Sequence, residues 1–248
     1  MTAAFDLAGK RALVTGANTG IGQAIAIGLA ASGATVVAAG RSSCAETLRR
    51  IEAAGGAGEE LTLDLADPVA AGARLSDAGD LDILVNNAGI IRRADSVEYT
   101  EADWDDVMDV NLKAVFVLCQ AFARAAIARN TGGRIVNIAS LLSFQGGIRV
   151  PAYTASKHGV AGLTKILANE WSTHGINVNA VAPGYIATDN TAALRDDPVR
   201  SAEILGRIPA GRWGDPADIA GAVGFLCMPA SAYVTGAVLN VDGGWLAR

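Results

Sequence analysis

Cysteine, histidine and aromatic residues are scarce in this chain of 248 residues, which has three cysteines, two histidines and 5% aromatic residues. Cys44, Cys119 and Cys227 form neither a metal-ligand pair nor an even set for disulfides. The two histidines lack partners at metal-ligand spacing, so no metal site is expected. This cysteine usage is typical of a reducing compartment, and we therefore expect a cytoplasmic protein.

Basic clusters, long apolar runs and a targeting segment are also missing. The chain has 20 Lys and Arg against 25 Asp and Glu, a formal net charge of −5. Without long basic runs, this balance argues against nucleic acid as a partner. No apolar run approaches the roughly 18 to 20 residues of a membrane span, and residues 1–10 lack the apolar core of a secretory signal. A membrane is therefore not expected either.

Hydrophobic residues and glycine are abundant, at 51% of the chain and 29 residues. Such a chain can bury enough apolar surface to offset the entropy lost on ordering, which excludes a disordered protein. Its length suits one large α/β domain or two small ones. No linker-like segment, repeat or low-complexity tract divides it, so one domain over 1–248 is expected.

Short β-rich runs alternate with segments of helical periodicity along the whole chain. The strands are predicted at 11–15, 34–39, 60–63, 82–85, 134–138, 176–181 and 238–241. The helices are predicted at 20–32, 68–77, 102–128, 152–173 and from about 216. This alternation predicts right-handed crossovers and a parallel sheet covered on both faces. We predict an α/β fold, a single doubly wound Rossmann domain with about seven strands.

Residues 184–210 show no clear periodicity and are rich in Thr, Arg, Asp and Pro. Long irregular stretches in compact domains are usually functional lids, although a disordered surface insertion is the alternative. The segment follows a predicted strand end, where open α/β sheets bind ligands. We therefore expect 184–210 to be a substrate lid.

A glycine-rich turn follows the first predicted strand and opens a helix. Its pattern, Gly16-x-x-x-Gly20-x-Gly22, is related to the dinucleotide fingerprint, in which glycines allow a tight turn and close approach of a pyrophosphate. The helix N-terminus would direct free N–H groups at the phosphates. An ordinary strand-to-helix turn is the alternative. The residues expected to bind a dinucleotide here are Gly16, Asn18, Thr19, Gly20, Ile21 and Gly22.

The ends of the second and third strands bear on the choice of cofactor. Enzymes that use NAD usually have an acidic residue at the second strand end, whereas this chain has Gly40 followed by Arg41. A guanidinium suits a 2′-phosphate, so the pattern favours NADP, unless Arg41 is simply a surface residue. Asp64, beside Leu65, would accept a hydrogen bond from adenine or cap the next turn.

Four polar residues suggest acid–base chemistry: Asn111 inside a long helix, Ser140 at a strand end, and Tyr153 and Lys157 four apart on one helix. A phenol has a pKa of about 10, and a nearby ammonium lowers it toward neutral pH. Ser140 would hold a substrate oxygen while Tyr153 exchanges its proton, and Asn111 would hold a water that relays protons. Asn87, Ala88 and Gly89 end the fourth strand, where small residues let a cofactor lie against the backbone.

Taken together, these motifs resemble the short-chain dehydrogenase/reductase family over essentially the whole chain. The matching elements are Gly16-x-x-x-Gly20-x-Gly22, Asn86-Asn87-Ala88-Gly89, Asn111, Ser140, Tyr153-x-x-x-Lys157 and Pro183-Gly184. The resemblance implies reversible hydride transfer between NAD or NADP and an alcohol or carbonyl.

The same resemblance implies the role of each site residue. Tyr153 would be the acid/base, Ser140 would orient the substrate oxygen, Lys157 would bind the nicotinamide ribose and lower the tyrosine pKa, and Asn111 would complete the relay. The residues implied to contact the nicotinamide end are Pro183, Gly184, Ile186 and Thr188. A homotetramer formed through helices 102–128 and 152–173 and the C-terminal segment is also implied.

Segments 87–93, 140–153 and 208–214 are similar to sugar-acid dehydrogenases of this family. They imply a substrate of the 2-deoxy-D-gluconate or 2-dehydro-3-deoxy-D-gluconate type and a preference for NAD, which Gly40-Arg41 contradicts. Ser140, Gln145 and Tyr153 are candidate substrate ligands. We expect Arg149 to anchor the substrate carboxylate, with help from Arg92 or Arg93, because guanidinium pairs bidentately with carboxylate.

Alternatives remain at each of these points. Each arginine would instead form an internal salt bridge to Asp95, Glu98 or Asp103. Two other functions are a ketoreductase for a neutral or carrier-bound 3-oxo substrate, and a non-catalytic sensor of NAD(P). Among the four tryptophans, only Trp213, beside the lid, is expected near the substrate.

Overall fold

The computed structural model describes residues 3–248 as a parallel sheet with helices on both faces. The strands are β1 (Arg11–Thr15), β2 (Thr35–Gly40), β3 (Ala57–Thr62), β4 (Ile83–Asn86), β5 (Gly133–Ile138), β6 (Ile176–Pro183) and β7 (Val238–Val241). The helices are α1 (Gly20–Ala31), α2 (Ala45–Ala53), α3 (Pro68–Ala73), α4 (Glu101–Met108), α5 (Ala114–Arg129), α6 (Pro151–Trp171), α7 (Ala192–Asp196), α8 (Pro198–Arg207) and α9 (Pro216–Cys227). The predicted α/β fold with seven parallel strands is confirmed.

The strand order β3-β2-β1-β4-β5-β6-β7 creates a crevice at one edge of the sheet. The chain builds outward from β1 to β3, then returns to the other side of β1 and continues to β7. The connections after β1 and β4 therefore diverge to opposite faces. In open α/β sheets, the carboxyl ends of the strands at such a switch point form the ligand site.

Two apolar layers hold the helices against the sheet. One layer lies between the sheet and α3, α5 and α6, with Leu118 and Phe122 among its largest buried side chains. The other lies beneath α1 and α9, which pack together through residues such as Ile25 and Ile219. Because both faces are covered, the central strands are almost entirely buried and read as continuous apolar runs.

The continuous helix over Glu101–Arg129 corrects one expectation from the sequence. It contains a window apolar enough to cross a membrane, with a mean hydropathy of 1.5, although no long apolar run was expected. Its inner face is buried in the core through α5. A core helix passes the same test of length and composition, so this feature is weak evidence for a membrane span.

The structure differs from the predicted elements in three places. β3 begins three residues earlier than predicted, and α2 was missed. Both are largely exposed and polar; α2 buries only Thr47 and Ile51. The segment 184–210, predicted to be irregular, contains α7 and α8. Both helices are short, and Ile204 is the one buried residue of α8.

Candidate active site

A cleft of about 900 Å³ opens at the carboxyl ends of the central strands. It collects almost every residue that the sequence predicts for the site; of the predicted set, only Asn111, Arg149 and Trp213 do not line it. The predicted residues that line it are Gly16, Asn18, Thr19, Gly20, Ile21, Gly22, Arg41, Asp64, Leu65, Asn87, Ala88, Gly89, Ser140, Gln145, Tyr153, Lys157, Pro183, Gly184, Ile186 and Thr188. Chain segments far apart in sequence therefore meet in one elongated site.

The glycine-rich turn brings α1 into close contact with the ends of β1 and β4. Gly16 and Gly20 have φ values of 65° and 56°, which glycine adopts without steric cost. A Cβ on Gly22 would lie 2.1 Å from the Gly16 oxygen and 2.4 Å from the Asn87 amide nitrogen. Only glycine fits at position 22 without displacing the backbone of the turn.

Side-chain hydrogen bonds tie the β1 and β4 ends together beneath this turn. The Thr15 hydroxyl accepts from the backbone N–H groups of Asn87 and Ala88, both at 3.0 Å. The Asn87 amide donates to the Thr15 carbonyl at 2.9 Å. These bonds fix the backbone on both sides of the crevice. With the N-terminus of α1 facing the cleft, the arrangement fits the pyrophosphate of a dinucleotide.

A side chain at the end of β2 would require the neighbouring turn to shift by a few tenths of an ångström. A Cβ on Gly40 would lie 3.0 Å from the Ser42 carbonyl oxygen. Arg41 is exposed and lines the cleft, and within residues 3–248 it forms no ion pair. The Asn18 amide donates to the Ser42 hydroxyl at 3.2 Å. This end of the cleft therefore offers a cation and polar groups to a ligand, and no carboxylate.

Asp64 lies just beyond the end of β3 and lines the cleft. One oxygen of its carboxylate accepts from the Ala66 backbone N–H at 3.0 Å, which caps the following turn. The remaining oxygen is free to accept from a ligand, so both alternatives considered for Asp64 are compatible with its position. Leu65 beside it is 8% exposed and contributes apolar surface.

Tyr153 and Lys157 lie one turn apart on α6, with Ser140 at the end of β5 opposite them. The Lys157 ammonium is buried and donates to the Ile138 carbonyl oxygen at 2.6 Å. Its nitrogen lies 5.6 Å from the centre of the Tyr153 ring. The predicted acid–base pair therefore faces the cleft together, although the ammonium bonds to backbone rather than to the phenol.

The pKa values of this pair differ from the expectation that lysine acidifies the phenol. Burial raises the pKa of Tyr153 above its ordinary value, while a hydrogen bond with Ser140 and the charge of Arg93 oppose this less strongly. Burial also lowers the pKa of Lys157 to about 8. The expected acidification is absent in this arrangement because desolvation outweighs the nearby positive charges.

Asn111 lies behind the cleft, in a π-helical turn at Asp109–Lys113 between α4 and α5. Its side chain is fully buried, and its oxygen accepts from the Ile90 N–H at 2.8 Å. Its amide nitrogen donates to the Ile90 carbonyl at 2.9 Å and to the Ser156 hydroxyl at 3.4 Å. Both amide hydrogens are thus used by protein partners, while the oxygen keeps a second acceptor site, and the expected role of holding a water stays a prediction.

Two of the three candidate arginines are neutralised by carboxylates. Arg149 pairs with Asp95 at 3.0 Å on the exposed rim, which was the alternative to its role as carboxylate anchor. Its φ of 63° lies in the left-handed region, and its side chain does not line the cleft. Arg92 pairs with Asp103 and Asp106, the second at 3.1 Å.

The lining of the cleft also includes Arg93 and one tryptophan. Arg93 lines the cleft and acts electrostatically on Tyr153. Trp245, and not Trp213 as expected, lines the cleft, while Trp213 packs edge-on against Tyr185. No motif marked Trp245, because the C-terminal segment reaches the cleft only through the tertiary fold.

We predict that Lys157→Met stabilises the fold at pH 7 by about 1–3 kcal/mol. The folded pKa of about 8 lies below the unfolded value, so the burial penalty is full below pH 8 and fades as pH rises to the unfolded pKa. Urea unfolding at pH 7 and 9.5 measures the gain, which should be smaller at 9.5.

The exposed Lys165 on the same helix provides the matched control. Lys165→Met removes a lysine without relieving burial and should change the free energy of unfolding by less than about 0.5 kcal/mol. Equal or lower stability of Lys157→Met at pH 7, relative to the unmodified chain, would contradict the assigned desolvation cost.

Comparison with known proteins identifies the family. The model of the family described as enoyl-(acyl carrier protein) reductase matches residues 16–246. A curated relative, the 2-dehydro-3-deoxy-D-gluconate 5-dehydrogenase of Escherichia coli (strain K12), is 55% identical over 249 residues, covering 99% of this chain and 98% of the relative. The match extends from the glycine-rich turn to the C-terminal segment.

Two solved structures share the fold of this chain, and both contain bound NADP. A provisionally assigned 2-deoxy-D-gluconate 3-dehydrogenase from Agrobacterium tumefaciens, with bound NADP, is 66% identical with a TM-score of 0.97, covering 99% of both chains. A provisionally assigned NAD(P)-dependent gluconate 5-dehydrogenase from Beutenbergia cavernae, with NADP at low occupancy, is 52% identical with a TM-score of 0.95, covering 99% of this chain and 100% of the other. This chain therefore belongs to the short-chain dehydrogenase/reductase family and is an NAD(P)-dependent oxidoreductase.

Proposed function

We propose that the enzyme transfers hydride between NADP and a hydroxyl or keto group of a small sugar acid of the 2-dehydro-3-deoxy-D-gluconate or 2-deoxy-D-gluconate type. The observation that carries the proposal is the meeting of Tyr153, Lys157 and Ser140 with the glycine-rich turn in one cleft. The E. coli relative named above supports the sugar-acid assignment, since it matches over nearly the full length of both chains.

Tyr153 is the proton donor for reduction and the acceptor for oxidation. NADP supplies or accepts hydride at its nicotinamide when bound. In reduction, the protonated phenol donates its hydrogen to the carbonyl oxygen of the substrate, and its raised pKa keeps it protonated at neutral pH. Ser140 holds the same oxygen through its hydroxyl. Oxidation requires the phenol to lose its own proton first. The positive charge of the protonated Lys157 side chain would favour that loss.

Asn111 is a positioning residue in this proposal. Its two bonds to Ile90 fasten the loop after β4 to the π-helical turn, and its contact with Ser156 ties the same turn to α6. Ser156 precedes Lys157 directly. Through these bonds Asn111 holds the Asn87–Gly89 backbone and the acid–base helix at a fixed separation, in addition to the relay role that the sequence predicts.

NADP is the preferred cofactor because of the polar groups at the β2 end. Gly40 leaves no carboxylate to repel a 2′-phosphate, and Arg41 has no acidic partner within the described part of the chain. The Ser42 hydroxyl and Asn18 amide lie beside it. A guanidinium with neighbouring hydrogen-bond groups matches the charge and oxygens of a phosphate.

An acidic substrate fits the opposite end of the cleft. Arg93 and Arg207 both line it, and neither pairs with a carboxylate among residues 3–248. Two uncompensated cations beside a partly apolar cleft favour an anionic substrate over a neutral one. Residues 184–210, which include α8 and Arg207, form the substrate lid in this proposal.

A homotetramer in the cytoplasm completes the proposed function. Phe116 of α5 and Ile166 of α6 are exposed on the outer faces of the helices through which the family resemblance implies assembly. Exposed apolar side chains on neighbouring helices are suited to burial between subunits. The free cysteines Cys44, Cys119 and Cys227 are consistent with a reducing compartment.

Tyr153→Phe should lower kcat for 2-dehydro-3-deoxy-D-gluconate at least about 100-fold while leaving the Kd of NADPH within about twofold. The ring keeps its packing and loses only the group that exchanges the proton. Steady-state absorbance of the nicotinamide and NADPH fluorescence titration measure the two quantities. An unchanged kcat would exclude the proposed acid/base.

Arg41→Ala should lower kcat/KM for NADPH about 10- to 100-fold and leave kcat/KM for NADH nearly unchanged, because only NADPH carries the 2′-phosphate. Arg49→Ala is the control, since Arg49 is also exposed nearby on α2 but pairs with Glu46. Equal losses with both cofactors, or the same loss in the control, would contradict the role of Arg41.

A further inference from the structure

We propose that Arg207 and Gln145, held in place by Trp245, bind the carboxylate of the substrate. The inference rests on the proposed sugar-acid function and specifies where the acid group lies. All three residues line the cleft and are joined through Trp245, although they come from the lid, the loop after β5 and the C-terminal segment. Trp245 is the positioning residue, and Arg207 and Gln145 are the ligands.

Trp245 is rigidly fixed in the fold. Only 4% of its surface is exposed, and its ring packs against Tyr185 with centroids 4.7 Å apart. The backbone around it is capped by Asp242, which accepts from the N–H groups of Gly244 and Leu246 at 2.9 and 3.0 Å. A side chain held in this way can orient the groups that contact it.

Arg207 is held over the face of this indole. Its guanidinium carbon lies 4.0 Å from the centre of the ring, a cation–π contact that holds the guanidinium beside the indole. Because the fork is oriented before substrate arrives, less side-chain entropy is lost on binding. Within residues 3–248 no carboxylate pairs with Arg207, so its donors remain available.

The indole N–H determines which end of Gln145 is offered to a ligand. Indole nitrogen is only a donor, and it contacts the Gln145 side-chain oxygen at 3.4 Å. The amide oxygen is thereby used, and the NH2 group remains to donate. Arg207 and Gln145 then both present donors, which suits a ligand group that only accepts. A carboxylate is such a group, whereas a hydroxyl needs an acceptor as well.

The other arginines near the cleft suit this role less well. Arg149 and Arg92 are neutralised by carboxylates on the rim. Arg93 acts on Tyr153, so it lies at the reacting end of the substrate. A 5-dehydrogenase substrate reacts several bonds away from its carboxylate, and the acid group must therefore reach a cation that is separate from the catalytic tyrosine.

The test compares 2-dehydro-3-deoxy-D-gluconate with its uncharged methyl ester in the full-length enzyme. Arg207→Gln should raise KM for the acid about 10- to 100-fold, change kcat less than threefold, and leave KM for the ester and for NADP+ within twofold. Arg212→Gln is the matched control, because Arg212 is also exposed and pairs with Asp218 at 2.7 Å, but lies outside both the cleft lining and residues 184–210. The control should retain the KM values of the unmodified enzyme.

Two variants of Trp245 test the positioning role. Trp245→Phe keeps a ring beneath Arg207 but loses the bond to Gln145, so its KM for the acid should lie between those of the unmodified enzyme and Trp245→Ala. If Trp245→Ala fails to fold, Gln145→Leu substitutes for it and should raise KM for the acid alone.

The outcomes separate this inference from the proposed function. If the unmodified enzyme oxidises neither acid nor ester with NADP+, the sugar-acid function is wrong. If it prefers the acid and Arg207→Gln leaves that preference intact, the function stands and the carboxylate site is wrong. A loss of preference in Arg93→Gln but not in Arg207→Gln would likewise overturn the inference.

Discussion

The contact between α1 and the crevice at β1 and β4 is the constraint on which the site depends. Helix α1 approaches so closely that the α-hydrogen of Gly22 is the largest substituent its neighbours permit. This approach directs the N-terminus of α1 along the cleft, and the Thr15–Asn87 bonds keep both strand ends in register beneath it. The phosphate-binding end and the acid–base end are thereby built on one rigid edge of the sheet.

A buried charged group at this edge lowers the stability of the fold, and it is kept because the chemistry of the site requires it. Lys157 is almost fully buried, has no carboxylate partner in the described chain, and is satisfied only by a backbone carbonyl. A buried ammonium of this kind destabilises the fold, and natural active sites commonly keep such groups where chemistry requires them. This local desolvation lowers the pKa of Lys157 and raises the pKa of Tyr153.

Local sequence patterns predicted the parts of the site that are themselves local. The glycine-rich turn and the Tyr153-x-x-x-Lys157 spacing are each set by one strand–helix unit, so the chain order alone marks them. Arg149 was misassigned because its ion pair to Asp95 joins two loops that are distant in sequence. Trp245 and Arg207 were missed for the same reason, since the C-terminal segment and the lid meet only in the folded chain. The amphipathic α2 was not predicted because its apolar stripe is short and most of the helix is polar and exposed.

Binding of NADPH to Gly22→Ala, compared with Gly28→Ala, tests the central constraint most directly. Both substitutions lie on α1, but a Cβ at position 28 meets only Ala220 at 3.5 Å, an ordinary contact. Calorimetric titration should show that Gly22→Ala weakens NADPH binding at least about tenfold, while Gly28→Ala binds like the unmodified enzyme. Equal affinity of the two variants, with both folded, would contradict the account.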